Sequence, residues 1–208
     1  MSAFFAITLV IILAAISPGP DFAVVTKNSL LYSRRSGIFT ALGVSVSLLI
    51  HSSYCVLGLA IVIAKSLLIF SLIKYVCASY LIYLGIKSLF AKRSVDTSQP
   101  KHSKIQLSAF RAFRQGLLCN LLNPKAIMFL LAFFTLVVTP ATTPFTQIIY
   151  VLDIGTVHFV WFSLLTVMIT HRHIRSKIAN IQHYIVKSMG VVLIAFGARI
   201  ATLHQKIA

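Results

Sequence analysis

The chain has 208 residues, of which 58% are hydrophobic and 11% charged, and its mean hydropathy is +0.93. These values exclude an ordinary soluble domain and indicate a protein with several membrane spans. Lysine and arginine number 19 against three acidic residues. A net charge of +16 is also typical of nucleic-acid-binding proteins, but most of the basic residues lie between apolar runs, as in inner-membrane proteins, so no nucleic-acid partner is expected.

The first predicted span runs from about Ala3 to Leu31 and is broken near its centre by Ser17-Pro18-Gly19-Pro20-Asp21. Unpaired backbone groups are costly in hydrocarbon, so two prolines and a glycine at membrane depth require protein or a watery cavity to receive those groups. An aspartate near the middle of a span costs roughly 2.5–3.5 kcal/mol on insertion scales. This stretch therefore predicts a binding site.

The second span is predicted from about Ile38 to Ala64 and the third from about Leu67 to Phe90. Each is long enough to cross roughly 30 Å of hydrocarbon. A polar, basic stretch then divides the chain into two halves of similar size. The predicted organisation is a first three-helix repeat at residues 1–90, a cytoplasmic linker at 91–113 and a second three-helix repeat at 114–208.

The fourth predicted span, about Gln115 to Val138, is interrupted by Asn123-Pro124-Lys125. The fifth covers about Phe145 to Thr170 and carries Asp153, and the sixth covers about Ser188 to Leu203. The first and fourth spans thus share a proline break, and each opens a set of three. Because each half has an odd number of spans, the second half enters the membrane from the opposite side and is inverted relative to the first. The two breaks are therefore expected to meet at the midplane. The predicted fold is an all-α integral membrane protein of six transmembrane helices.

The distribution of basic residues predicts the orientation. Most of them fall in alternate loops on one side of the predicted spans, and the opposite side holds only Lys65, Arg199 and Lys206. The side richer in lysine and arginine faces the cytoplasm. Both termini are therefore expected in the periplasm.

The motif Ser17-Pro18-Gly19-Pro20-Asp21, the run from Gly116 to Ala126 and an acid early in span five resemble the LysE/RhtB family of amino-acid exporters, of the lysine-exporter and homoserine/threonine-efflux type. The resemblance covers nearly the whole chain, including its length and basic central linker. It implies secondary-active export of amino acids across the bacterial inner membrane, without a cofactor. The expected function is proton-driven, alternating-access export of a neutral amino acid such as threonine, homoserine or leucine.

A zwitterionic amino acid needs an anion site for its carboxylate and an acceptor for its ammonium group. The helix after Pro124 presents free N–H groups and the positive end of its dipole, to which Lys125 adds a full charge. Asn120 and Asn123 lie three residues apart, on one helical face, and can add hydrogen bonds. The candidate substrate-binding residues are Ser17, Pro18, Gly19, Pro20, Asp21, Asn120, Asn123, Pro124 and Lys125.

Asp21 and Asp153 are the only acids predicted within spans. We expect Asp21 to bind the substrate ammonium and Asp153 to carry the coupling proton. Two structural alternatives stay open: Asp153 and Lys125 can form a fixed ion pair, and Asp21 can cap the helix that follows Pro20. His158 lies five residues after Asp153, off its helical face, and is not coupled to it.

Two other functions compete. A metal or inorganic-ion exporter needs several acidic, cysteine or histidine ligands, which this sequence does not group together, and Lys125 would repel a cation. An intramembrane enzyme could draw on Ser17, His51, His158 and Asp153. No GxSxG or HExxH signature is present, so neither an enzyme nor a metal site is expected. Small residues on the helix faces are compatible with a homodimer.

Overall fold

The computed structural model describes residues 2–17, 19–90, 107–139 and 141–202, and within these residues all regular secondary structure is helical. Pro18 and residues 91–106, most of the predicted linker, lie outside the described residues. The helices are α1 (Ser2–Ile16), α2 (Pro20–Leu31), α3 (Arg34–Lys65), α4 (Leu67–Leu89), α5 (Ala109–Leu121), α6 (Pro124–Val137), α7 (Pro144–Ile169) and α8 (Arg172–Thr202).

Hydropathy divides these helices into clear and partial spans. In the described part of the chain, three segments are long and apolar enough to cross a bilayer: Arg34–Gly58, Leu68–Leu89 and Pro144–Ile169. The number rises to five if each of two bent helix pairs counts as one span. The apolar end of α8, Gly190–Thr202, is shorter than the roughly 20 residues that a straight span needs. The sixth span and the inverted arrangement of the halves stay predictions.

The two bent pairs lie where the sequence predicts broken helices. The axes of α1 and α2 differ by 57°, and those of α5 and α6 by 60°. Each second half-helix begins at a proline, Pro20 in α2 and Pro124 in α6. Proline suits the first helical position because its fixed φ matches the helix and its missing N–H would have no partner within the helix. The same residue cannot continue the preceding helix, so the axis changes direction there.

Helices α3 and α5 pack closely and run in the same direction. Ser36 Oγ donates to the Leu107 backbone oxygen near their starts, and His51 Nε2 donates to the Asn120 backbone oxygen further along. A Cβ atom at Gly43 of α3 would contact the backbone oxygen of Phe113, and one at Gly116 of α5 would contact the backbone oxygen of Thr40. Backbone atoms cannot turn aside as side chains can, so this approach depends on both glycines.

A buried asparagine ties α2 to the same pair. Asn28 is fully buried and donates hydrogen bonds from Nδ2 to Thr40 Oγ1 on α3 and to Gln115 Oε1 on α5, each at 2.9 Å. The two bonds pair the Asn28 N–H groups, which are costly to leave unpaired in a dry interface, whereas its Oδ1 has no donor among the described residues. The three helices α2, α3 and α5 therefore pack against one another on one side of the helix breaks.

In the rest of the structure, corresponding helices of the two predicted halves pack against each other. Helix α3 packs on α7, and α4 packs on α8. The short helix α6 lies between them, with Leu130, Phe133 and Phe134 buried in the core. This arrangement holds the start of α6 in the interior, close to the start of α2.

Candidate functional site

The start of α2 places an acid at the interior end of a helix. Gly19 is its extended N-cap residue, Pro20 is the first helical residue and Asp21 lies in the first turn. A carboxylate is stabilised there by the positive end of the helix dipole. Its described hydrogen bonds nevertheless run to other helices and not to the N–H groups of α2, so the capping alternative is not the arrangement found.

The start of α6 is built in a parallel way. Asn123 is the N-cap residue, and its Oδ1 accepts a hydrogen bond from the backbone N–H of Lys125 at 3.0 Å. This bond satisfies one of the free donors at the start of the helix and fixes the Asn123 side chain. Its Nδ2 then points towards α2.

The two breaks meet through their polar side chains. Asp21 Oδ2 accepts a hydrogen bond from Asn120 Nδ2 at 3.0 Å and another from Asn123 Nδ2 at 3.1 Å. Lys125 Nζ donates to Ser17 Oγ, at the end of the first half, at 2.7 Å. The predicted meeting of the breaks is confirmed by these bonds.

Two buried acceptors at this junction have no donor among the described residues. They are Asp21 Oδ1 and Asn120 Oδ1. Buried polar atoms are nearly always hydrogen-bonded, and each exception costs about 1–3 kcal/mol. The junction therefore has two acceptors ready for a ligand that donates.

A cavity of about 50 Å³ opens at the junction. Its polar wall carries the Ser17, Asp21, Asn120, Asn123, Lys125 and His158 side chains, beside the backbone of Gly19. Its apolar wall is formed by Ala14, Ala15, Leu48, Ala126, Phe129, Leu130, Phe162 and Leu193. The cavity thus combines oppositely charged residues with apolar ones, the usual composition of a small-molecule site.

Not every predicted site residue lines this cavity. Pro20 and Pro124 begin the two half-helices but are not among its lining residues, and Pro18 lies outside the described residues. Asp153 is also absent from the lining; its Oδ2 accepts a hydrogen bond from Thr8 Oγ1 of α1 at 2.8 Å. Its proton-coupling role stays a prediction.

His158 is a cavity residue that sequence reasoning missed. It is buried, and its Nδ1 donates to the backbone oxygen of Ile154 at 2.8 Å. The sequence signal was a histidine within a span, but only the rotation of α7 shows that this face meets the breaks. His51 is also buried but does not line the cavity. Its Nε2 donates to the Asn120 backbone oxygen at 3.2 Å and its Nδ1 contacts Tyr54. It supports the end of α5.

Among the described residues, no group of three or more histidine, cysteine, aspartate or glutamate side chains could hold a metal ion. The described contacts of the junction are hydrogen bonds of Asp21 with two asparagines and of Lys125 with Ser17.

Apolar helices of this length, with an internal polar cavity where two broken helices meet, define a polytopic membrane protein. Residues 12–204 match the model of the LysE type translocator family. The chain therefore belongs to that family, and it is a membrane transport protein.

Individual relatives agree with this assignment. The chain is 35% identical over 191 residues to the uncharacterized membrane protein YrhP of Bacillus subtilis, with 88% of this chain and 91% of the relative covered. It is 29% identical over 195 residues to the leucine efflux protein of Salmonella typhimurium, with 90% and 89% covered. The leucine efflux protein of Salmonella typhi matches equally well. No solved structure matches the chain significantly.

Proposed function

We propose that the protein exports neutral amino acids from the bacterial cytoplasm and binds them in the cavity between the two helix breaks. The observation that carries this proposal is the pair of unpartnered acceptors, Asp21 Oδ1 and Asn120 Oδ1, in the same cavity as the Lys125 ammonium. An α-amino acid carries an ammonium group that can donate to the two acceptors and a carboxylate that can pair with the Lys125 ammonium. The similarity to proteins named for leucine efflux supports the same substrate class.

The substrate ammonium fits the acidic side. It has three donors, and Asp21 Oδ1 and Asn120 Oδ1 accept two of them. A charge-assisted bond to a carboxylate is about twice as strong as a neutral one. Because both acceptors are buried, the ammonium also removes the cost of leaving them unpaired.

The substrate carboxylate fits the opposite side. Lys125 Nζ and Ser17 Oγ lie 2.7 Å apart and both line the cavity, so one carboxylate can accept from both. The N-termini of α2 and α6 add two positive dipole ends. Half-helix N-termini bind anionic substrate groups in this way in transporters with broken helices.

The substrate side chain then meets the apolar wall. Phe129, Leu130 and Phe162 offer carbon surface and no partner for a third charge. Burying an unpaired charge is far more costly than burying an alkyl group. The cavity therefore favours amino acids with an uncharged side chain over lysine or aspartate.

The size of the cavity implies movement during transport. A volume of about 50 Å³ holds roughly one or two water molecules, which is less room than leucine needs. We propose that the cavity widens and opens to alternate sides as the two inverted halves move, with both termini in the periplasm and the proton gradient as driving force. A homodimer stays a further prediction.

Efflux from proteoliposomes tests the proposal. Vesicles preloaded with radiolabelled leucine, threonine, homoserine or lysine are compared with and without an imposed proton gradient. We expect gradient-dependent efflux of neutral amino acids and little efflux of lysine. Asp21→Asn and Lys125→Met should abolish the efflux, whereas Lys27→Met, an exposed lysine on α2, should retain it. Equal efflux from the wild type and the two cavity variants would overturn the proposed site.

A further inference from the structure

We infer that Asp21 is the exchange site of the transporter, at which a proton and the substrate ammonium group replace one another. The inference rests on the proposed function and adds the step that couples it to the proton gradient. It assigns to one carboxylate the two roles that the sequence divides between Asp21 and Asp153.

The Asn120 side chain lies beside the Asp21 carboxyl group. One of the bonds that can join an amide to a carboxylic acid is present, from Asn120 Nδ2 to Asp21 Oδ2 at 3.0 Å. The second would join Asp21 Oδ1 to Asn120 Oδ1, but both atoms are acceptors when Asp21 is ionised, and both are buried without a donor. Each of these two oxygens therefore lacks a donor among the described residues.

A proton on Asp21 Oδ1 supplies that donor. The resulting O–H donates to Asn120 Oδ1, and the amide and the carboxylic acid are then joined by two hydrogen bonds. The Asp21 carboxyl group is then uncharged, so the empty carrier can change conformation without moving an unpaired carboxylate. Lys125 keeps its hydrogen bond to Ser17.

The substrate ammonium satisfies the same two oxygens in a different way. It donates to both of them and requires Asp21 to be ionised, because a protonated Oδ1 is a donor and cannot accept. Binding therefore converts the Asp21 carboxylic acid to a carboxylate paired with the substrate ammonium and releases one proton to water. Departure of the substrate on the opposite side lets one proton return. Proton and substrate thus exclude each other and move in opposite directions.

Four other titratable groups lie near Asp21, and three of them have described hydrogen-bond partners. Lys125 on α6 donates to Ser17, His51 on α3 donates to the Asn120 backbone, and His158 on α7 donates to Ile154. Cys119 of α5 is the fourth, and it is not among the residues that line the cavity. Among the described residues, Asp21 is the one carboxyl group that lines the cavity.

Infrared difference spectroscopy can identify the proton carrier directly, because the whole chain has only three carboxyl side chains, Asp21, Asp96 and Asp153. Purified protein in lipid is titrated with L-leucine, or with whichever neutral amino acid the efflux screen selects. We expect the carbonyl stretch of a protonated carboxylic acid to disappear on binding. The change should persist in Asp96→Asn and Asp153→Asn.

Equilibrium binding gives a second readout of the same exchange. Where Asp21 is protonated, the apparent Kd for the amino acid should rise about tenfold for each unit that the pH falls, because one proton must leave for each substrate bound. The same slope is expected for Asp153→Asn.

The outcomes separate the two proposals. Binding with no loss of the carboxylic-acid signal, or a loss that vanishes in Asp153→Asn while binding remains, would overturn the exchange at Asp21 and leave the proposed function standing. If none of the neutral amino acids binds, the proposed function fails and the exchange fails with it.

Discussion

Replacing Gly43 with alanine should push α3 away from α5 and destabilise the protein, whereas the same change at Gly58 of the same helix should not. The new Cβ at position 43 would contact the backbone oxygen of Phe113 and would lie 2.7 Å from the backbone nitrogen of Leu117. At Gly58 nothing lies within 4 Å of the added atom. The two variants therefore share one chemical change and differ in the space that receives it.

The expected magnitudes follow from two opposing effects. Overpacking costs about 1–3 kcal/mol, and contact with immobile backbone belongs at the upper end of that range. Alanine is about 1 kcal/mol better than glycine inside a helix. The net result is a loss of about 2 kcal/mol at Gly43 and a gain of up to about 1 kcal/mol at Gly58. For a chain of this length, these values correspond to a fall in Tm of about 4–8 °C and a rise of up to about 4 °C.

Thermal unfolding of both variants and the wild type in one detergent checks this expectation, with circular dichroism as the signal. Gly116→Ala, on the other side of the same contact, should behave like Gly43→Ala because it meets the backbone oxygen of Thr40. Equal Tm values for the Gly43 and Gly58 variants would refute the close parallel packing of α3 and α5.

Three further changes probe the contact of α2 with α3 and α5, the cavity, and Asp153. Asn28→Leu removes two interhelical hydrogen bonds, each worth about 0.6 kcal/mol in a membrane protein, so thermal unfolding should show a Tm lower by about 2–4 °C. Ala126→Val narrows the cavity and should raise the KM for leucine efflux about tenfold but the KM for alanine efflux much less, since alanine needs less space. Thr8→Val removes the donor to Asp153 and should leave the proton dependence of efflux unchanged, because the exchange is expected at Asp21. A lost proton dependence in that variant would favour Asp153 instead.

Much of the architecture is predictable from sequence because apolar length and proline position are strong local signals. The bounds of α4 and α7 follow closely from the apolar runs, and the breaks follow from the prolines at positions 20 and 124. The meeting of Asp21 with the second break follows from the cost of leaving polar groups in hydrocarbon, since each break needs the other as a partner.

The rotation of each helix is the part that the sequence does not provide. In a soluble protein the polar face identifies the outside, but in a membrane both lipid and protein neighbours are apolar, so periodicity carries little information. For this reason His158 could not be placed in the cavity, nor Asp153 against α1. Similarly, Ala126 and Phe129 follow the lysine of the second break at helical spacing, but only tertiary packing shows which neighbours complete the apolar wall.

The most direct measurement is the distance between the nitrogen of bound substrate and the carboxyl carbon of Asp21. Solid-state NMR can provide it with ¹⁵N-leucine and protein labelled with ¹³C at the aspartate carboxyl groups, because the chain has only three acidic residues, at positions 21, 96 and 153. A charge-assisted hydrogen bond places the nitrogen about 2.7–2.9 Å from an oxygen, so we expect dipolar coupling across less than about 4 Å. The coupling should be unchanged in Asp96→Asn and Asp153→Asn. Bound leucine without such a coupling, or a coupling that is lost in Asp153→Asn, would show that the amino acid does not bind at the junction of the two breaks.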